Sequence, residues 1–202
     1  MAQTSLKKGF TTGAAASAAV KAALVRLLTG TAPTEVDIVF LGGGTRTVAV
    51  HQVRCLTENS CEAEIVKDAG DDPDITHKAR IGARVTLAPG DGLQVHISGG
   101  IGVGRVTKPG LEMAVGEPAI NPGPRQMIVE AVQAVYDTLA PEQTHQVSVT
   151  VFVPHGKALA KKTLNARLGI MGGISILGTT GVVTPMSHDA YIATIRAGIR
   201  VA

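Results

Sequence analysis

PGPRQMIVEAVQAVYDTLAP, residues 122–141, is the stretch on which the fold turns. Its apolar residues Ile128, Ala131, Val132, Val135 and Leu139 recur at the three- and four-residue spacing that places them on one side of a helix. Pro124 near the start supplies a preset φ, and Pro141 beyond the end cannot continue a helix. A helix over 122–139 is therefore expected. After it come a strand over 147–153 (VSVTVFV), a helix over 157–168, a short strand over 174–177 and a final helix over 188–200. Before it the pattern changes. Thr12 is expected to cap a helix running to about residue 28, with Gly30 as its stop and Pro33 beyond. Strands follow over 35–41 and 46–55, joined by the turn Gly42, Gly43, Gly44, Thr45, and then over 61–67, 83–87 and 93–98. The turns between these last three are DDPD (71–74) and PGDG (89–92). The first half thus reads as a β-rich meander behind one helix, and the second as αβαβα. This order implies an α+β class with a mixed sheet, in one domain over 1–202, rather than a doubly wound parallel sheet.

Composition narrows the function classes. Lys+Arg 19 against Asp+Glu 16 leaves a net charge of +3, too small for a dedicated nucleic-acid binder. With no Trp, two Tyr and three Phe, there are too few rings for base-stacking platforms. The 24 glycines stand out instead, and glycine is favoured where φ is positive or where backbone must approach a ligand. No run of apolar residues is long enough to span a membrane, and Lys21 and Arg26 interrupt the N-terminal apolar stretch, so a targeting segment is not read there. A cytoplasmic protein with neither nucleic-acid nor membrane partners is the expectation, and a homo-oligomer is compatible with it. Cys55 and Cys61 have neither redox nor zinc spacing. They are read as reduced thiols, a cross-turn disulfide being the alternative.

The densest motif is SGGIGVGRVTKPG (98–110), in which Gly100, Gly102 and Gly104 precede Arg105 and Lys108. Open backbone N–H groups beside two cations suit an anion. A tight turn between strands is the ordinary alternative. Thr12 and Gly13 at a helix start offer free N–H groups and the positive end of the dipole, although a plain N-cap explains them as well. KDAGDDPD (67–74) reads as a solvated turn rather than a cation loop, since no distal Glu stands at EF-hand spacing. The six histidines show no metal-ligand spacing, so no protein metal site is expected. Lys157, Lys161, Lys162 and Arg167 adjoin a second glycine stretch, GIMGGISILGTTG (169–181), containing Gly172 and Gly173. Both glycine segments are expected beside one cleft, because each pairs flexible backbone with cations.

Five blocks, TTGAAASAAVKAA (11–23), VKDAGDDPDIT (66–76), SGGIGVGRVTKPGL (98–111), GEPAINPGPRQMI (116–128) and KTLNARLGIMGGISILGTTGVVTPMS (162–187), occur in an order that resembles the CbiD family of cobalt-precorrin-5B C1-methyltransferases. The resemblance covers essentially all of this chain and the N-terminal part of that family. It implies a step of anaerobic cobalamin biosynthesis in which S-adenosylmethionine methylates ring carbon C1 of a corrinoid whose cobalt belongs to the substrate. A polycarboxylate substrate calls for cations, and Arg105, Lys108, Arg125 and Arg167 are the candidates. Gly100, Gly102, Gly104, Gly172 and Gly173 are candidates for close backbone contact, Thr12 and Gly13 for the helix start, and Glu117 for a general base. Much of the methyl-donor site is expected in the family's C-terminal part. The rivals are a noncatalytic tetrapyrrole-binding module and a small-molecule phosphotransferase, the latter suggested by Gly13-Ala14-Ala15-Ala16-Ser17.

Overall fold

The computed structural model describes residues 6–140, 142 and 145–201, with the side chains of Asp189 and Ala190 left aside; Pro141 falls outside the described residues. In chain order the elements are β1 (Gly9–Phe10), α1 (Thr12–Thr29), β2 (Glu35–Val39), β3 (Thr45–Ala49), β4 (Gln52–Thr57), β5 (Ser60–Val66), β6 (Arg80–Pro89) and β7 (Gln94–Gly99). The second half adds β8 (Arg105–Val106), α2 (Pro122–Leu139), β9 (His145–Phe152), α3 (Gly156–Ala160), β10 (Ile170–Met171), β11 (Val182–Val183) and α4 (His188–Val201).

A five-stranded sheet in the order β4-β5-β6-β9-β7 is the centre of the molecule. Alternation puts Cys61, Ala63 and Ile65 of β5, Ile81, Ala83 and Val85 of β6, and Val147, Val149 and Val151 of β9 on one buried face. Helices α1 and α2 share that core. The alanines of α1 are chosen for closeness: Ala14, Ala15, Ala16, Ala18, Ala19, Ala22 and Ala23 are all buried, so that the sheet and α2 both pack on the helix. Ser17 Oγ donates to Met127 O of α2 at 3.0 Å, which satisfies the one hydroxyl in that contact. On the opposite face, Glu62 lies between Arg54 (2.8 Å) and Arg84 (2.6 Å), its neighbours on the two flanking strands. Burial raises the Glu62 pKa, but the bonds and charges of the two arginines outweigh it and hold the carboxyl below its usual range.

The sheet is mixed, as expected for an α+β fold: β7 runs parallel to β9 and the other pairs are antiparallel. The meander reading needs correction, because β9 inserts between β6 and β7, two strands that are consecutive in sequence. The expected strand 46–55 is two strands, β3 pairing with β2 and β4 with β5. Between them the backbone changes partner, Val50 N bonding to Thr34 O and His51 N to Glu64 O. Thr11, not Thr12, caps α1, its Oγ1 accepting from Ala14 N at 3.2 Å, and Gly30 ends the helix at φ 73° as expected. Helix 122–139 is observed over its full expected length.

Three further expectations change. Helix 157–168 stops at Ala160, where Thr163 Oγ1 donates to Ala160 O and accepts from Asn165 N, replacing helical bonds with a local turn. Residues 174–177 form isolated bridges, Ile174 to Val103 and Ile176 to Ile120, rather than a strand. The register of β4 and β5 sets Cys55 opposite Cys61, and the two are joined as a disulfide, not left as thiols.

Candidate functional site

The glycine loop leaves the end of β7 and is stitched to its surroundings by backbone. Gly100 N donates to Val151 O (2.7 Å), and Val153 N donates back to Ile101 O (2.8 Å). Ile174 N donates to Gly102 O and Gly104 N to Ile174 O, so the second glycine stretch lies directly alongside the first. β8 then pairs with β10 in the register Arg105 to Met171 and Val106 to Ile170. The 116–121 segment closes the unit from the other side, with Val106 N on Glu117 O (2.9 Å) and Ala119 N on Gly104 O (2.7 Å). A small cluster of Val106, Met113, Ala119 and Ile170 is buried beneath it. The two glycine segments are thus brought together and bonded directly to each other.

This close weave accounts for the glycines. Gly102 has φ 74°, and a Cβ there would overlap Val153 O; a Cβ on Gly173 would overlap Gly102 O. Gly104 faces Ile170 and Gly173, and Gly100 faces Thr150. Their vacant space is filled by the chain itself. Gly172, at φ 84° with nothing within 4 Å, is the one of the five candidates that is open.

Around this core the cations point outward. Arg105 is exposed and donates through one guanidinium nitrogen to Gly116 O. Lys108 lays its stem over Gly169, with its Cβ and Cγ 2.7 Å from where a Cβ would be. Arg167 is exposed three residues before β10. Glu117 is also exposed, and its Oε2 accepts from Ala114 N at 3.1 Å. Arg125, half-buried in the first turn of α2, donates from Nε to Ile120 O (3.0 Å), and Ile120 bridges to Ile176.

Thr12 and Gly13 join the same unit from within. Leu177 N donates to Thr12 Oγ1 (2.9 Å), Gly13 N donates to Leu177 O (3.0 Å), and the Pro124 ring occupies the space a Gly13 side chain would need. These donors are committed to the chain, so the start of α1 is a packing joint and not an exposed anion cradle. Gly13 to Ser17 lie buried inside α1, an arrangement unlike a phosphate loop.

Two features escaped sequence reasoning. Asn165 is buried, donates from Nδ2 to Gly173 O (3.4 Å) and accepts from Ser175 Oγ, anchoring the second glycine stretch. Its only sequence signal is its place inside a glycine-flanked motif. The other is the anchoring of the 67–74 segment, a turn exposed at Asp71 and Pro73 but pinned from inside: Lys67 is 1% exposed, with Nζ 2.6 Å from Asp74 Oδ2. Asp71 accepts from Lys7 N and Asp72 from Met186 N, so the three carboxylates serve three different partners.

Comparison with known proteins fits this arrangement. The chain is 51% identical over 197 residues to the Cobalt-precorrin-5B C(1)-methyltransferase of Geobacillus sp. (strain WCH70), across 98% of this chain and 53% of that protein. It is 53% identical over 199 residues to the protein of the same name from Geobacillus kaustophilus (strain HTA426), across 98% of this chain and 52% of that one. The crystal structure of cobalamin biosynthesis protein CbiD from Archaeoglobus fulgidus superposes with a TM-score of 0.68 at 28% identity, covering 95% of this chain and 59% of that chain. The chain spans about half the length of the curated relatives it matches. The CbiD family profile matches residues 1–185, and on that match, with the fold and motif blocks in agreement, the chain belongs to the CbiD family.

Proposed function

We propose that this chain is the corrinoid-holding part of a cobalt-precorrin-5B C1-methyltransferase, an enzyme that moves a methyl group from S-adenosylmethionine to ring carbon C1. The observation that carries the reading is the convergence of three motif blocks. Residues 98–111 and 116–128, which nearly adjoin in sequence, and residues 162–187, which begin more than thirty residues further on, are woven into one hydrogen-bonded unit edged by Arg105, Lys108 and Arg167. A cobalt-bearing macrocycle fringed with acetate and propionate groups is matched by such an edge, since each guanidinium or ammonium forms a charge-assisted bond to a carboxylate. Arg125 is proposed as a fourth cation, Gly172 as the point where backbone meets the ring, and Glu117 as acceptor of a proton lost from the macrocycle.

The methyl donor fits this edge poorly. Its sulfonium is a cation, and the charged groups gathered here are mostly cations, so no step involving the donor is assigned to these residues. We assign the donor site to the part of the relatives' length that this chain does not span. The buried Gly13–Ser17 segment gives the phosphotransferase alternative no support. We also place the protein in the cytoplasm; among the described residues no helix is long and apolar enough to cross a membrane.

Calorimetry of the 202-residue chain with cobalt-precorrin-5B, and separately with S-adenosylmethionine, tests the assignment. Binding of the corrinoid with weak or absent donor binding is the expected result. Failure to bind the corrinoid overturns the reading, and micromolar donor binding with steady methyl transfer overturns the division of labour. Arg105→Glu and Lys108→Glu should each weaken corrinoid binding by about one to two decades, as one charge-assisted bond is worth about 1.5–3 kcal/mol. Circular dichroism should show both variants folded, because both side chains are exposed.

A further inference from the structure

A cleft of about 410 Å3 opens at the end of the five-stranded sheet, where β5 ends, β6 begins and β9 runs towards α3. Val66, Ala79 and Leu159 contribute apolar surface over the buried Val153, while His77, Lys78, Arg80 and His155 contribute every polar side chain in the lining. The lining contains no carboxylate. Arg80 has Glu64 3.4 Å behind it, outside the cleft. Val153 also bonds to Ile101, so the cleft shares a wall with the glycine loop.

The loop that carries these cations is held firmly. Lys67 N donates to Ala79 O and Lys78 N to Lys67 O, both within 2.9 Å, and the buried Lys67–Asp74 pair pins the segment from inside. Lys78 is held at φ 61°, a left-handed conformation that side chains other than glycine and asparagine rarely adopt. His77 Nδ1 accepts from Ala69 N (3.1 Å), which leaves the ring proton on Nε2, a donor. The cleft therefore offers hydrogen-bond donors and positive charge over an apolar floor. Its volume falls in the range of organic-ligand pockets and exceeds what a lone inorganic ion needs.

We propose that this cleft is a second binding site, taking an organic anion that sets its carboxylate or phosphate against Lys78 and Arg80 and its apolar body on Val66 and Leu159. The proposal is independent of the methyl-transfer reading. It is tested on the same chain with four probes, 1-naphthylacetate, its neutral amide, 1-naphthyl phosphate and inorganic phosphate, followed by calorimetry and by the ring C–H resonances of His77 and His155. Both naphthyl anions should bind and shift those resonances, with the amide and inorganic phosphate about tenfold weaker or more. The tighter of the two anions identifies the headgroup. Lys78→Gly removes the cation while suiting the left-handed backbone, so its Tm should match or exceed that of the parent while affinity for the anions falls about tenfold or more. Lys78→Asn, also tolerant of that conformation, repeats the measurement should the glycine variant prove less stable. Equal binding of the amide, equal binding of inorganic phosphate, unshifted histidine resonances, or undiminished affinity in folded Lys78 variants would each overturn the proposal.

Discussion

Asp74→Ala is expected to destabilise the protein by about 3–5 kcal/mol, because it strips the partner from a buried ammonium. Lys67 Nζ lies 2.6 Å from Asp74 Oδ2, and the lysine side chain is 1% exposed, so this carboxylate is the partner that compensates the ammonium's loss of hydration. Lys67→Met should cost far less. It replaces the charge with an apolar chain of similar shape, while Asp74, 25% exposed, keeps its bonds from Thr76 N and Oγ1 at 2.6 Å. The pH dependence has a definite sign. Burial raises the Asp74 pKa, but the Lys67 charge and the hydrogen bonds from Lys67 and Thr76 outweigh it, and the net shift is downward. A carboxyl lowered in the folded state stabilises at pH values above its ordinary unfolded value of about 4, and the contribution is lost as pH falls through the lowered folded value. Urea unfolding at neutral pH and along a series towards pH 2 checks both points. An Asp74→Ala loss below about 1 kcal/mol, or stability that rises on acidification through this range in the parent but not in the variant, would contradict the account.

Gly102→Ala should be of comparable severity, at about 2–5 kcal/mol. Overpacking costs about 1–3 kcal/mol and a left-handed alanine about 1–2 kcal/mol more. Both apply, since φ is 74° and the new Cβ would overlap the backbone oxygen of Val153, an atom that β9 and the loop hold in place. Gly172→Ala is the control: at φ 84° with nothing within 4 Å, it should cost only the conformational part, about 1–2 kcal/mol. The difference in urea midpoint between the two variants reads the steric component alone. Equal losses would mean that the loop yields without cost.

How much of this was legible in the sequence depended on the range of the interaction involved. Helix 122–139 could be read because its determinants, a three- and four-residue apolar spacing and an early proline, act within one or two turns. The α+β class was legible for the same reason, and so was the Gly30 stop. The candidate cations Arg105, Lys108 and Arg167 could be named from motifs, because exposed charge beside glycine-rich backbone is a local chemical pattern. Strand 46–55 could not be divided correctly, since its break at Val50 and His51 is made by Thr34 and Glu64. Neither could the glycines be assigned, as glycine is equally suited to approaching a ligand and to approaching another strand.

What the sequence by itself determined was the identity and approximate limits of the long elements, the family resemblance and the set of charged candidates. Tertiary structure alone decided the insertion of β9 between β6 and β7, the pairing of Cys55 with Cys61 and the burial of Lys67 against Asp74. It also turned Thr12 and Gly13 inward onto Leu177 and gathered His77, Lys78, Arg80 and His155 around one cleft. The physical reason is that backbone preference and side-chain periodicity act over a few residues. Burial, register and the choice of hydrogen-bond partner are set by segments far off in the chain, as Thr12 and Leu177 are 165 apart.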